Sequence, residues 1–268
     1  LQHIKSDVGI PGSPLIILDR LTDRSKEFDE AECVFIEYTK DNYDLLIDNL
    51  QNASNIAGNI STSAINGPFQ DSILDVVRTD GSDCPTFFFI DPFGFKSLDY
   101  DVISEIGSTD QFEFLITFMH RDINRFFEVE YHEDAVRTVF GSDDFREEVE
   151  KYDPDNWEAL VEYYTDRLED KGPEHTFEYL ITEPETTQTV YYLVFGTNSQ
   201  HGLHTMSEVM SHCGTGGFAY APKNPEYDRN QQTLGFGGGA TKEFLTDRFA
   251  GYRVEFGDLV ESCSEERP

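Results

Sequence analysis

Apolar positions follow two alternating patterns along the first half of the chain. Short, nearly continuous apolar runs predict strands at residues 33–37, near 59–61, at 86–90 and at 112–119. Between these runs, apolar residues at helical spacing predict helices over residues 42–51, 69–77 and 102–106. The alternation predicts an α/β fold in which a mostly parallel sheet carries helices on both faces.

The composition changes after the fourth strand. Residues 121–185 are rich in charge and place Trp157, Leu160, Tyr164 and Leu168 at helical spacing, which predicts a helical insertion. The sheet is expected to resume at residues 191–195, followed by a helix over 203–210. We therefore predict one Rossmann-like domain over residues 1–212 and a Gly- and Asn-rich linker or loop over 213–240.

Charge is the strongest compositional signal. The 268 residues include 52 acidic and 20 basic side chains, for a formal charge of −32. Aromatic residues make up 13% of the chain and fall in apolar blocks, which favours a folded protein over a disordered one. Such an acid excess is typical of salt-in halophilic archaea, because molar salt screens the repulsion. The alternative is an acidic mesophilic protein with an acidic interaction face.

Several classes of protein are disfavoured. The negative charge disfavours an autonomous nucleic-acid-binding domain, although a local cluster such as Arg121 and Arg125 could still bind nucleic acid. No run of about 20 apolar residues is present, and no secretory signal follows Leu1. Four cysteines without a CxxC pair predict a reduced, cytoplasmic location. Residue 1 is Leu and an apolar segment follows the opening loop at once, while the chain stops soon after a strand-like stretch at 252–256, so we expect a chain truncated at both ends.

The sharpest chemical feature follows the strand at 86–90. Ligands of open α/β sheets bind beyond the carboxyl ends of the strands, and Asp91-Pro92-Phe93-Gly94 occupies that position. The pattern is similar to the Asp-Pro-Pro-Tyr and Asn-Pro-Pro-Tyr motifs of amino-group methyltransferases. There, the first side chain accepts a hydrogen bond from the target amine and the aromatic ring stacks on the base. The alternative is an ordinary strand-ending turn with a core Phe.

Other candidates also follow predicted strands. Glu37 suits the hydroxyls of a ribose, because a carboxylate only accepts hydrogen bonds, but a solvated Glu is common there. Asn124 and Arg125 are candidates for lining the substrate cleft, against the alternative of helix capping and surface charge. The set His201, His204, His212 and Cys213 lacks typical zinc spacing, so we predict no metal site.

Four segments together resemble the three-Cys-motif partner family (TcmP). They are Gly-Ser-Pro-Leu-Ile at 12–16, Phe-Ile-Glu at 35–37, Pro-Thr-Phe-Phe-Phe-Ile-Asp-Pro-Phe-Gly at 85–94 and Tyr-Tyr-Leu-Val-Phe-Gly-Thr at 191–197. The resemblance implies a class I methyltransferase-like Rossmann fold with S-adenosylmethionine as its cofactor. Together with the motif at residues 91–94, it makes methyl transfer to an amine of a nucleic acid or nucleotide the leading hypothesis. Asp91, Pro92 and Phe93 would then be catalytic, Glu37 would bind the cofactor, and Gly94, Asn124 and Arg125 would contact substrate.

The same resemblance implies a partner and exposes two departures. Members are named for a partner protein with a three-cysteine motif, which is phage-protein-like and is expected to be related to radical-SAM proteins. Some members end in a winged-helix-like segment, which we expect here over residues 241–268. The family's first strand and glycine-rich cofactor loop would precede Leu1, and Ser199-Gln200 replaces a His-Pro pair. The alternatives are therefore a non-enzymatic, degenerate Rossmann module that works with this partner in defence against mobile elements, and a pseudogene product.

Overall fold

The structure, a computed structural model, describes residues 12–73, 84–127, 129–152, 159–182, 189–213 and 218–220. The chain is an α/β protein that divides into two compact units, Leu1–Gly81 and Ser82–Pro268. Within the described ranges, no helix has both the length and the apolar character needed to cross a membrane.

The first unit contains a two-stranded parallel sheet. Its elements are α1 (Ser13–Asp23), β1 (Ala31–Glu37), α2 (Lys40–Asn52) and β2 (Ile60–Asn66), and residues 69–73 are also helical. β1 and β2 pair from Ala31↔Ile60 to Glu37↔Asn66, which confirms both predicted strands. β2 extends beyond its prediction, to Asn66. Burial alternates at its start, with Ile60 buried and Ser61 and Ser63 exposed, but the consecutive small polar residues at 61–63 hide this alternation in the sequence. β1 is half-buried, not buried as expected.

The second unit contains a five-stranded mixed sheet in the order β3-β4-β6-β5-β7. The strands are β3 (Thr86–Ile90), β4 (Phe112–Phe118), β5 (His175–Thr182), β6 (Thr189–Thr197) and β7 (Phe218–Tyr220). The helices are α3 (Tyr100–Gly107), α4 (His120–Phe126), α5 (Glu133–Phe140), α6 (Phe145–Val149), α7 (Ala159–Lys171) and α8 (Gln200–Cys213), with 3₁₀ turns at Phe95–Ser97 and Glu130–His132. β3 and β4 are parallel, whereas β6 runs antiparallel to both of its neighbours.

The predicted mostly parallel sheet is wrong for this unit, where only β3·β4 among the four described strand pairings is parallel. The difference comes from β5, which lies at the end of the stretch predicted to be helical. β5 carries the buried polar residues Thr176 and Glu178. Both the backbone N–H and the hydroxyl of Thr176 donate to Glu169, so burial of this polar residue is compensated. β7 likewise lies within the predicted linker, while residues 241–268 lie outside the described ranges.

Helices cover both faces of the five-stranded sheet. On one face, the ring of Tyr164 in α7 stacks on that of Phe118 at 4.7 Å between centroids. On the other face, Met206 and Met210 of α8 belong to a cluster with residues of β5 and β6. β3 was expected to be buried, but Phe87 and Phe89 remain 51% and 44% exposed. Their neighbours Phe88 and Ile90 point to the opposite face and are buried.

Tyr100 connects three helices of this unit. The side chain is fully buried at the start of α3, and its hydroxyl donates to the carbonyl of Arg167 in α7 over 2.7 Å. Gly141 ends α5 with a left-handed φ of 60°. A β-carbon at Gly141 would lie 2.0 Å from Cδ1 of Tyr100. Glycine therefore allows the end of α5 to pack directly on this ring.

Candidate functional site

The carboxyl ends of β3 and β4 form one edge of the larger sheet. The two strands are parallel and adjacent, with Ile90 paired to Ile116, so the segments that follow them emerge at the same edge. This edge carries most of the predicted site residues: Asp91, Pro92, Phe93 and Gly94 after β3, and Asn124 and Arg125 on α4 after β4. We call this set of segments, residues 91–94 and α4, the β3/β4 edge.

The loop after β3 presents an aromatic ring to solvent. Phe93 is 86% exposed, so the alternative of a core Phe is wrong. Phe95 and Leu98, at 3% and 0% exposure, anchor the chain directly after the loop. Gly94 has a φ of 81°, which favours glycine, and a β-carbon added there would have no heavy atom within 4 Å apart from its chain neighbours. The loop therefore leaves space at the backbone beside an exposed ring.

α4 supplies all of the described residues that line a cavity of about 330 Å³. The cavity is lined by His120, Arg121, Asn124 and Arg125. Ile123 is fully buried and fixes the helix to the core, which leaves the opposite side of α4 to solvent. Asn124 lies inside the helix, and Met119 occupies the N-cap position, so the helix-capping alternative does not account for Asn124.

His120 is a cavity residue that the sequence pattern did not single out. Its ring is fully buried and packs edge-on against Tyr192, with 5.2 Å between centroids. Burial, with a further contribution from the charge of Arg121, lowers the pKa of His120 to about 4. The imidazole is therefore neutral at neutral pH. Its position directly after an apolar strand was the available signal, but an isolated His after a strand is more often structural.

The lowered pKa of His120 predicts a pH-dependent stability. Between about pH 6.5 and pH 4 the unfolded chain binds a proton that the folded protein excludes, so stability falls as the pH falls through this range. We expect wild-type protein to lose roughly 2 kcal/mol more than His120→Leu between about pH 7.5 and pH 5. Denaturant unfolding of both proteins at the two pH values measures this difference, and parallel pH profiles would contradict it.

Tyr191 also lies at the β3/β4 edge. β6 runs antiparallel to β4, and Phe118 pairs with Tyr192, so the start of β6 meets the end of β4. Burial raises the pKa of Tyr191, and the negative charge of Asp91 raises it further. The phenol therefore remains protonated as a hydrogen-bond donor at neutral pH. In the sequence Tyr191 is only a strand residue, because its relation to Asp91 depends on the reversed direction of β6.

Glu37 ends β1 in the first unit. Its Oε1 accepts a hydrogen bond of 2.8 Å from the backbone N–H of Thr39, at the N-cap of α2. The side-chain amide of Asn66 donates to the carbonyls of Glu37 and Tyr38 and holds this turn. A carboxylate has about four acceptor sites, so one local hydrogen bond leaves capacity for ribose hydroxyls. Tyr38 is 75% exposed beside it.

A second cavity, of about 450 Å³, lies along α7. Its polar groups already have partners within the protein: Tyr152 donates to Asp166, and Arg167 donates to the carbonyls of Phe140 and Gly141. We therefore assign no ligand to it, although it is the larger cavity. His201 and His204 both lie on α8, and the described residues contain no group of three or more potential metal ligands. The side chains of His212 and Cys213 lie outside the described part.

Comparisons of the chain with protein-family models, with curated proteins and with solved structures found no match. The resemblance to the three-Cys-motif partner family therefore remains a prediction from the quoted segments. Function must instead be inferred from the chemistry of the residues that the fold places at the β3/β4 edge and at the end of β1.

Proposed function

We propose that this protein is an S-adenosylmethionine-dependent methyltransferase that acts on an amine of a nucleic acid or nucleotide. The observation that carries the proposal is the loop Asp91–Gly94, directly after β3 at the β3/β4 edge. It combines an exposed carboxylate, a ring that is 86% exposed and a glycine whose backbone is open to approach. A binding site for an aromatic amine requires an acceptor for the N–H, a surface for stacking and space for the ring, and these three features supply them.

Each residue of the loop has a role that follows from its chemistry. The carboxylate of Asp91 accepts a hydrogen bond from the amine N–H and thereby orients the nitrogen lone pair. As the nitrogen gains positive charge during attack, the same carboxylate stabilises that charge. Phe93 stacks on the base, and Pro92 restricts the backbone between these two side chains. The phenol of Tyr191, whose pKa the charge of Asp91 helps to raise, is a hydrogen-bond donor at this edge.

The first unit offers residues that suit the cofactor. S-adenosylmethionine supplies an electrophilic methyl group when bound. Glu37 accepts hydrogen bonds from its ribose, and the exposed ring of Tyr38 offers a stacking surface for its adenine. The fit rests on the acceptor sites that Glu37 retains beyond its bond to Thr39.

The order of the larger sheet also supports the proposal. β6 is a reversed strand inserted between β4 and β5, which themselves run in the same direction. A mixed sheet with helices on both faces is compatible with a Rossmann-like α/β fold. Because one fold serves many functions, the chemistry must be tested at the site.

Cofactor binding provides the first test. Calorimetry in molar KCl on the full-length protein is expected to detect S-adenosylmethionine binding to the wild type, with affinity reduced at least tenfold in Glu37→Gln, roughly the loss of one charge-assisted hydrogen bond. Glu32→Gln is the matched control, because it removes an exposed carboxylate from the same strand. Absence of binding by the wild type, or equal losses in both variants, would overturn the cofactor assignment.

Methyl transfer provides the second part of this test. With a radiolabelled methyl donor and an amine-bearing oligonucleotide, Asp91→Ala is expected to lose about 100- to 1,000-fold in rate while retaining cofactor binding. Asp91→Asn should recover part of the rate, because an amide oxygen also accepts from the amine. Asp110→Asn serves as the exposed control. If wild-type protein binds no cofactor but co-purifies with a three-cysteine partner, the non-enzymatic module becomes the better account.

A further inference from the structure

Two arginines of α4 differ from every other arginine that the structure describes. Seven arginines lie in the described ranges, at positions 20, 24, 121, 125, 137, 146 and 167. Five of them form an ion pair with a carboxylate, at distances from 2.8 to 3.9 Å. In this part of the chain, no carboxylate lies within ion-pair distance of Arg121 or Arg125, and both side chains line the cavity beside α4.

The overall composition makes this exception informative. Acidic side chains outnumber basic ones by 52 to 20, so an exposed arginine readily finds a carboxylate. Arg121 and Arg125 are also four residues apart on one helix, so their like charges face each other and repel. The buried His120 beside them is neutral at neutral pH. The site therefore places two positive charges side by side, and neither lies within ion-pair distance of a carboxylate among the described residues.

We propose that Arg121 and Arg125 bind backbone phosphates of a single-stranded nucleic acid whose base stacks on Phe93. Arginine forks match the geometry of phosphate oxygens and bind them bidentately. Phe93 and α4 follow adjacent parallel strands, so the exposed ring and the two guanidinium groups share the β3/β4 edge. An exposed aromatic ring beside cationic side chains is the combination by which proteins hold single strands.

This assignment also fits the prediction, made from the acid excess, of a protein adapted to concentrated salt. Each phosphate contact to a single strand changes the slope of log K against log salt by roughly −0.7, so two contacts give a slope of about −1.4. A basic protein that makes many phosphate contacts loses far more affinity for the same increase in salt concentration. Stacking on Phe93 is insensitive to salt by comparison, so the pair of arginines and the ring retain affinity where a larger cationic surface would lose it.

Fluorescence anisotropy with a labelled single strand of about 12 nucleotides tests the assignment in the absence of methyl donor. Titrations run from about 0.5 to 3 M KCl, with circular dichroism to confirm folding. At the lowest salt, Arg121→Gln/Arg125→Gln is expected to weaken binding at least about tenfold and to make the salt slope shallower by roughly 1.4. Phe93→Ala should weaken binding about tenfold with the slope unchanged.

Arg20→Gln/Arg24→Gln is the matched control, because it removes two exposed arginines from α1 and the turn that follows it. The proposal is overturned if wild-type protein does not bind the strand, or if the two double variants lose affinity equally. If adenosine monophosphate displaces the labelled strand as effectively as the unlabelled strand does, the proposal is also overturned, and the ligand would be a free nucleotide. The identity of the reacting amine rests on the proposed function, but strand binding does not. A chain that binds the strand and no S-adenosylmethionine would overturn only the proposed function.

Discussion

Raising KCl from about 0.1 to 3 M is expected to increase the melting temperature of this protein by at least about 10 °C. The formal charge of −32 makes mutual repulsion of carboxylates the largest electrostatic effect on the folded state. Thermal unfolding followed by circular dichroism, at a series of KCl concentrations, measures the shift directly.

The magnitude follows from the range of the interaction. Two like charges 10 Å apart in water repel by about 0.4 kcal/mol before screening. The Debye length of about 10 Å at 0.1 M reduces this to roughly 0.15 kcal/mol, and at 1 M it becomes about 0.01 kcal/mol. Dozens of such pairs sum to several kcal/mol, comparable with a total stability of about 5–15 kcal/mol. Each kcal/mol moves the melting temperature by about 2–4 °C for a domain of this size.

A non-ionic co-solvent separates screening from preferential exclusion. Sorbitol stabilises proteins because it is excluded from their surface, but it screens no charge. We expect sorbitol at matched osmolality to give only a minor part of the KCl effect. A melting temperature that does not change with KCl, or a sorbitol effect as large as that of KCl, would contradict the brine-adaptation interpretation and favour an acidic mesophilic protein.

Gly141→Ala is expected to destabilise the second unit by about 4 kcal/mol. Holding Ala at a left-handed φ costs roughly 1–2 kcal/mol, and overpacking a filled core typically adds about 1–3 kcal/mol. The new methyl would lie 2.0 Å from Cδ1 of Tyr100. That ring cannot shift freely, because its hydroxyl is bound to the Arg167 carbonyl and the Arg167 guanidinium lies 5.1 Å from its centroid. Denaturant unfolding in molar KCl measures the loss.

Two further variants make the Gly141 experiment specific. Gly58→Ala is the matched control, because its β-carbon would meet nothing within 4 Å and its φ is not positive. It should change stability by no more than about 0.5 kcal/mol. Replacing Tyr100 by Leu in the Gly141→Ala protein should make the two losses less than additive, since the clash disappears with the ring. Equal effects of the two glycine substitutions would refute the packing explanation.

The fold was predictable where local pattern and tertiary environment agree. β3 and β4 are continuous apolar runs, and the predicted helix after β3 was found at Tyr100–Gly107. β5 was missed because Thr176 and Glu178 interrupt its apolar pattern, and their burial depends on partners elsewhere in the fold. The exposure of Phe87 and Phe89 could not be predicted either, because an apolar run does not show which face of the strand other elements cover.

From the sequence, only those site residues that directly follow an apolar strand could be predicted. The loop from Asp91 to Gly94 and the α4 residues Asn124 and Arg125 were found because they follow apolar strands. Tyr191 begins a strand, so it reaches this edge only because β6 is reversed. His120 follows a strand like the other candidates, but its neutral state is a consequence of burial that a linear sequence does not contain.

The pairing of β6 with both β4 and β5 has a kinetic consequence. β5 and β6 are separated by six residues, whereas Phe118 of β4 pairs with Tyr192 from far along the chain. Closing the longer loop, of roughly 70 residues, costs about 2 kcal/mol more in chain entropy, so we expect the β5–β6 hairpin to form first and β4 to dock on it afterwards. During synthesis, β6 emerges from the ribosome well after β3, β4 and α4. We therefore expect Tyr191 to join the candidate site last, after Asp91 and the arginines of α4 have been translated.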